Sequence, residues 1–484
     1  MQLFTIQRIL GLLLVIFSST QIPPMIVSVI YLDGAFAAFF YAFAISMITG
    51  IVMWLPVKNF KSELRMRDGF LIVVLFWTVL GIFGAIPLYL VEQTHMSITD
   101  AIFESISGLT TTGATVLTHL EGLPKSILYY RQQLQWLGGM GIIVLAVAIM
   151  PMLGIGGMQL YRAETPGPIK DSKLTPRITE TAKALWYIYL SLTIACALAY
   201  WLAGMDLFDA ISHSFATIAI GGFSTHDQSM GYFIDTPMVE IVAIIFMILA
   251  GVNFALHFTA WRSRSIFHYF ADSEFRVYAT ILTGVAIISS SYLYYMGTFD
   301  DAGRAILHGV FQAVSIGTTT GFTTHEYHNW PGFLPVLLLF TSFIGACAGS
   351  TGGGMKVIRF LLLLKQGMRE IMRVIHPNAV ITTKVGGKPI PDHVINSVWG
   401  FFSAYVASFS LILLLLMLTG MDQVSAFSAT AAAINNLGPG LNMVGSNYAS
   451  ITDAAKWILT FTMLLGRLEI FTLLVLLTPA FWRR

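Results

Sequence analysis

Two stretches decide the reading of this chain: Phe103-Glu104-Ser105-Ile106-Ser107-Gly108-Leu109-Thr110-Thr111-Thr112-Gly113 and Phe311-Gln312-Ala313-Val314-Ser315-Ile316-Gly317-Thr318-Thr319-Thr320-Gly321. Each passes from small and apolar residues into three threonines and a glycine. Two other stretches share parts of the pattern. Gly222-Phe223-Ser224-Thr225-His226-Asp227 parallels Gly321-Phe322-Thr323-Thr324-His325-Glu326. Gly204-Met205-Asp206 lies as far before Gly222 as Gly420-Met421-Asp422 lies before Gly438. Gly113, Gly222, Gly321 and Gly438 thus mark four units, spaced 109, 99 and 117 residues apart. Periods of this length are duplications of a fold, not the short repeats of a solenoid.

The four stretches sit in a chain of 484 residues that is 56% hydrophobic and only 11% charged, with a mean hydropathy of +0.74. A soluble domain averages about 25% charged residues, and a soluble fold of this composition would hold more apolar surface than its interior can hide. A soluble enzyme, a disordered chain and a nucleic-acid binder are therefore excluded at the outset. The two cysteines, Cys196 and Cys347, lie far apart in apolar surroundings, so no disulfide framework is implied.

Apolar runs of about 20 residues, the length that crosses a bilayer core, fall near 3–31, 36–57, 69–90, 126–152, 181–203, 235–261, 275–297, 332–373 (interrupted), 393–419 and 453–481. The first has Pro23-Pro24 but no small-residue cleavage site after its apolar core, so it reads as a retained span rather than a signal peptide. Lys and Arg concentrate in 58–68, 160–183, 262–276, 356–388 and at Arg483-Arg484, which together hold 21 of the 27 basic residues. The alternate connections are poor in them, and 204–235 has none. Cytoplasmic loops retain positive charge, so both termini are expected in the cytoplasm, in agreement with ten spans.

The connections near 91–125, 204–234, 298–331 and 420–452 each begin with a half-length apolar run and then reach a glycine-containing turn. The pattern predicts a half-helix that enters the membrane and returns as an extended strand. Such backbone is tolerated at membrane depth only where protein or a water-filled cavity surrounds it. Four such units around an axis would make one pore, narrowest at Thr110-Thr111-Thr112-Gly113, Ala219-Ile220-Gly221-Gly222, Thr318-Thr319-Thr320-Gly321 and Asn435-Asn436-Leu437-Gly438. Backbone carbonyls in rings replace the hydration shell of a cation. Glycine accommodates the positive φ that such a strand visits. The half-helices would aim their partially negative C-termini at the cavity.

Residue by residue, this pattern resembles the Trk/Ktr/HKT superfamily of potassium transporters, over essentially the whole chain. The resemblance implies an all-α polytopic fold with two N-terminal helices (1–68) and four pore repeats in pseudo-fourfold array: 69–180, 181–274, 275–392 and 393–484. It implies channel-like uptake of K⁺ or Rb⁺, the transported ion being substrate, with no organic cofactor in this chain. In that superfamily a glycine at all four strand positions goes with potassium conduction, and serine at the first goes with sodium transport. The second and fourth strands here depart from the threonine-rich pair.

Other features acquire expected roles from the same resemblance. Gly345-Ala346-Cys347-Ala348-Gly349-Ser350-Thr351-Gly352-Gly353-Gly354 interrupts the eighth span, and five glycines in ten residues break a helix. It corresponds to an intramembrane gating loop. Arg467 lies near the middle of the apolar run 457–481, where a charge costs roughly 2.5–3.5 kcal/mol and so faces water or a partner such as Glu469. It is expected in the ion path beside that loop. The basic segments 356–388 and 160–183 are expected to form a cytoplasmic surface for a ring of nucleotide-binding regulatory subunits of the TrkA kind. A homodimer in a bacterial cytoplasmic (inner) membrane is implied as well.

Three further readings come from the residues themselves. His325-Glu326-Tyr327-His328 reads as a solvated pore mouth rather than a metal site. An H⁺- or Na⁺-coupled symporter is the alternative mechanism, although the pore segments lack the midplane carboxylates such transporters carry. An intramembrane enzyme would need a convergent nucleophile–base or metal-ligand set, and none falls within the spans.

Overall fold

A computed structural model describes residues 2–60, 64–139, 141 and 178–483. The end of the fourth expected span and most of the basic segment 160–183, including Arg162, Lys170, Lys173 and Arg177, lie outside the described residues.

The described chain is predominantly helical, with one short β-hairpin pairing Lys384–Val385 with Lys388–Pro389. Six described helices are long and apolar enough to cross a membrane, or eight when two bent pairs each count as one span. The first span is built from Leu3–Ser19 and Ile22–Tyr31. Pro23 and Pro24 fall in the first turn of the second piece, where a missing N–H costs no hydrogen bond. This span packs on Phe36–Trp54 through Gly11 and Gly50, since a methyl group on Gly11 would stand 2.8 Å from the Gly50 carbonyl oxygen. Small residues allow such close crossings. In the turn between these two helices Asp33 accepts hydrogen bonds from the backbone N–H of Ala35 (3.1 Å) and, across to the first repeat, of Ser126 (2.8 Å).

The four half-helices form where expected, over Ile98–Leu109, Leu207–Ala219, Ala302–Gly317 and Gln423–Ile434. Each starts at a side-chain cap, Ser97, Asp206, Asp301 or Asp422, whose oxygen accepts from backbone N–H groups of the first turn. Each is preceded by a long span: Met66–Leu90, Ile178–Leu202, Ser273–Tyr295 and Asp392–Leu418.

Two spans expected to be continuous are broken. Residues 235–261 form Pro237–Ala250 and Phe254–Ser263, bent by 94°. The corner is Gly251-Val252-Asn253, where Asn253 caps the second piece through Ala255 N (2.8 Å). Residues 453–481 form Asp453–Arg467 and Phe471–Leu477, bent by 117°. Here Glu469 and Ile470 both adopt positive φ, 53° and 58°. Glu469 is ion-paired to Arg359, and a conformation so unfavourable for side chains persists only where its surroundings fix it. The interrupted eighth span is seen as Leu334–Ile344 and Val357–Ile375, joined by a non-helical loop.

Candidate functional site: a four-segment ring and the loop beneath it

The half-helices end in four copies of one turn. The backbone N–H groups of Thr112, Gly221, Thr320 and Leu437 each donate to a carbonyl five residues back, on Ser107, Ala216, Ser315 and Ala432, and all four bonds measure 2.8 Å. The residue before each donor is left-handed: Thr111, Ile220, Thr319 and Asn436 have φ of 55°, 55°, 68° and 51°. This is the hydrogen-bonding signature of a helix closed by a left-handed residue. The residue after each donor is the glycine, again with positive φ: 79° at Gly113, 78° at Gly222, 84° at Gly321 and 98° at Gly438. A threonine triplet, Ala-Ile-Gly and Asn-Asn-Leu therefore build the same backbone.

The four turns close on one another. A methyl group on Gly113 would overlap the carbonyl oxygen of Gly221, one on Gly222 that of Thr320, and one on Gly321 that of Leu437. One on Gly438 would meet the carbonyl oxygen of Thr112. The order is first to second, second to third, third to fourth and fourth to first, which is a closed ring. Glycine is required at these positions both by φ and by the backbone of the next segment.

Side chains from behind brace the ring. Gln135 donates to the Gly221 carbonyl (2.5 Å) and accepts from Phe223 N (3.1 Å). Asn436 donates to Thr112 Oγ1 (3.0 Å), joining the fourth segment to the first. Thr110 and Thr112 share a hydroxyl hydrogen bond of 2.8 Å, and Thr318 and Thr320 one of 2.7 Å. Tyr448 OH donates to Gly438 O (2.7 Å). The sequence reading did not single out Glu104 and Arg131, which form a fully buried ion pair of 2.7 Å. Glu104 accepts from Val116 N (2.9 Å) on the returning first strand, and Arg131 donates to Ser224 O (3.1 Å) on the second. A carboxylate in an apolar half-helix, with an arginine in the span that follows it, was the available signal.

The two sides of the ring differ. Gly113, Gly222, Gly321 and Gly438 all border one cavity of about 660 Å³, which His226, Asp227, His325, Glu326 and His328 also line. On the other side lies the loop 345–356. Thr351 Oγ1 donates to Ile218 O (2.9 Å), Gly353 N to Thr319 Oγ1 (2.7 Å) and Gly354 N to Asn435 O (3.1 Å). The loop thereby touches three of the four half-helix ends. Arg467 reaches the fourth: its guanidinium donates to Thr111 Oγ1 (3.1 Å), to the loop at Thr351 O (3.2 Å) and to Gly138 O (2.7 Å).

The placement of Arg467 corrects the expectation of a charge at mid-helix. It is the last residue of Asp453–Arg467, at the corner of the bent span, and Glu469 is paired with Arg359. The bend at 251–253 also serves the loop, since Cys347 N donates to Gly251 O and Phe254 N to Gly349 O, both at 3.0 Å. Part of the expected basic surface is likewise interior. Lys356 is buried and bonded to Gly352 O, and buried Arg359 donates to Met355 O (3.2 Å). Cys196 and Cys347 are both buried and free.

The family model described as TrkH, cation transport protein, matches residues 35–484. A Trk system potassium uptake protein TrkH of Halomonas elongata is 57% identical over 100% of both chains. The Trk system potassium uptake protein TrkG of Escherichia coli (strain K12) is 42% identical over 98% of this chain and 97% of its own. The crystal structure of the potassium transporter TrkH from Vibrio parahaemolyticus superposes with a TM-score of 0.91 at 55% identity, covering 100% of each chain.

Proposed function

The chain belongs to the TrkH family of cation transport proteins, and from that premise we propose that it is a multi-pass membrane subunit for potassium uptake, with the four-segment ring as its ion filter. The observation that carries this reading is the closed order of contacts among Gly113, Gly222, Gly321 and Gly438, with an open cavity on one side and a glycine loop on the other. Backbone carbonyls of residues 110–113, 219–222, 318–321 and 435–438 are the K⁺ ligands in this reading. The C-terminal ends of four half-helices favour a cation on the axis.

The loop with Gly345, Gly349, Gly352, Gly353 and Gly354, together with Arg467, is the gate. Its hydrogen bonds to the half-helix ends support this role, and the guanidinium beside Thr111 adds a positive charge that opposes a resting cation. The loop continues directly into Val357–Ile375, so a cytosolic nucleotide-binding regulator that moves this helix would pull on it. The boundaries 1–68, 69–180, 181–274, 275–392 and 393–484 belong to the same reading, as do a homodimer, a cytoplasmic (inner) membrane location and cytoplasmic termini.

Uptake of ⁸⁶Rb⁺ into proteoliposomes tests the function. A channel-like subunit takes up the tracer down its own gradient without Na⁺ or H⁺ gradients. Uptake only when one of those gradients is imposed would make it a symporter instead. Absence of uptake under both conditions would defeat the reading.

A further inference from the structure

Outside the ring, a second set of residues repeats in register. Eighteen residues after each ring glycine, on the outgoing span, stand Arg131, Glu240, Leu339 and Lys456. Thirteen residues before each ring glycine, on the half-helix, stand Asp100, Asp209, His308 and Ser425. At two interfaces a residue of the first set meets a residue of the second set in the next repeat. Lys456 of the fourth repeat lies 2.6 Å from Asp100 of the first. Glu240 of the second repeat lies 3.2 Å from Nδ1 of His308 in the third. The two pairs occupy equivalent places on opposite sides of the ring, with reversed polarity.

They differ in what protons do to them. A Lys–Asp pair joins two full charges, whereas a His carries charge only when protonated. Glu240 is fully buried, and neither of its oxygens has a hydrogen bond among the described residues. Nδ1 of His308 likewise has no hydrogen bond among the described residues, so the 3.2 Å approach is a charge contact only, and a buried carboxylate facing a neutral partner is costly. The His308 ring lies 4.6 Å from the His325 ring, nearly perpendicular to it, and Phe299 packs 5.0 Å from both. His325 borders the outer cavity, and its Nε2 is buried with no hydrogen-bond partner among the described residues.

The surrounding charges are few. Glu240 is the titratable residue of Pro237–Ala250, and Leu334–Ile344 carries none. Ser273–Tyr295 brings Tyr292, Tyr294 and Tyr295 to this end, the half-helix itself brings Arg304, and the flanking loops bring Asp300, Asp301 and Glu326. Burial, and then the charges of His308 and Arg304, hold the His325 imidazole below its usual range.

We propose that Glu240, His308 and His325 form a proton-binding site entered from the outer cavity, and that its occupancy sets how firmly the second and third repeats are held together and so how fast ions pass. With the proton bound, the His308 imidazolium faces the Glu240 carboxylate, as Lys456 faces Asp100. Without it, the carboxylate is buried against a neutral ring and the interface loosens. The proposal rests on the ring being the ion path.

The test is ⁸⁶Rb⁺ uptake into proteoliposomes at fixed internal pH, with external pH raised from about 6 to 8, the range in which imidazoles titrate. Wild-type uptake should fall several-fold. The double variant E240K/H308D, which copies the Lys456–Asp100 pair, should still take up tracer but with a flat pH profile. E240Q, which keeps the side-chain shape, should also lose the slope and serves if the double variant misassembles. His226, an acid-paired imidazole that does line the cavity and lies 2.9 Å from Asp209, stays in place throughout. A flat wild-type profile, or a folded variant that keeps the wild-type slope, overturns the proposal. No wild-type uptake at any pH would instead defeat the transport reading.

Discussion

A methyl group on Gly438 would stand 2.6 Å from the carbonyl oxygen of Thr112, so the last of the four segments is fitted against the first, more than 300 residues earlier in the chain. The contact completes a ring whose other three junctions are tighter still. Because each glycine abuts the next segment's backbone, a substitution at one position displaces carbonyls of two repeats.

Gly113→Ser adds a side chain that overlaps Gly221 O, at a φ of 79° that side chains resist. We expect Na⁺ permeation to rise relative to K⁺, because the first and second segments must move apart. Gly438→Ala, with more room, should change selectivity less. Permeability ratios from bi-ionic measurements in liposomes check both, and an unchanged ratio for Gly113→Ser would remove this residue from the filter.

Asp33 is one of the polar ties between the two N-terminal helices and the first repeat. Burial acts to raise its pKa, but hydrogen bonds from Ser28, Ser126 and Ala35 outweigh it and hold the carboxyl below its usual range. A folded-state pKa below the unfolded value contributes stability above the unfolded pKa, and the contribution is lost as pH falls through the folded pKa. Asp33→Asn should lower the thermal midpoint by a few degrees at neutral pH. The gap between variant and parent should close below about pH 4. A gap independent of pH would show that the charge on Asp33 is not what matters.

Much of this architecture was legible in the sequence, and the reasons differ from part to part. The matched threonine triplets at Thr110–Thr112 and Thr318–Thr320 revealed two repeats, and the Gly-Met-Asp pairs before Gly222 and Gly438 revealed the others. Asp206 and Asp422 in those pairs are the helix caps, so the motif records a real structural boundary. The bends at 251–253 and 468–470 were missed because hydropathy reports apolar content and not direction. Their causes are tertiary: Gly251 and Phe254 are hydrogen-bonded to the loop, and Glu469 is held by Arg359, 110 positions away. Gly251-Val252-Asn253, a helix stop followed by a cap residue, was the local clue to the first.

Arg131 and Glu104 are the most buried ion pair behind the ring. The Arg131 guanidinium also lies 4.3 Å from the centre of the Phe223 ring, so it links the first two strands. Removing one partner of such a pair costs roughly 3–5 kcal/mol because a buried charge is left alone. Arg131→Met should lower unfolding stability by that order in detergent. The double variant with Glu104→Met should lose clearly less than the sum of the two single losses. Additive losses would mean that the two residues act independently.

Arg467 binds Thr111, Thr351 and Gly138 at once, joining the ring, the loop and the first repeat. Arg467→Ala should raise basal ⁸⁶Rb⁺ flux several-fold, since both the positive charge and the loop's anchor are removed. Arg467→Lys keeps the charge but gathers its donors on one nitrogen, without the planar fork that spans these acceptors, so its flux should fall between the two. If Arg467→Ala unfolds the protein with no rise in flux in the folded fraction, the residue is structural.

The loop itself offers the sharpest test of gating. Gly353, unlike Gly345, Gly349 and Gly354, does not have a positive φ, but a methyl group on it would overlap Asn435 O while the loop lies against the ring. The substitution therefore penalises the closed arrangement without acting on an arrangement in which the loop has withdrawn. Gly353→Ala should raise ⁸⁶Rb⁺ flux and weaken control by a regulatory partner, with little change in K⁺ over Na⁺, because in the conducting arrangement the loop has left Asn435 O. Deleting Ala346–Gly352 should act in the same direction and more strongly, since it also removes the Thr351 bond to Ile218 O. Flux measured side by side in proteoliposomes decides the matter. If both variants fold and conduct less than the parent, residues 345–354 are not the barrier and the gate must lie elsewhere along the axis.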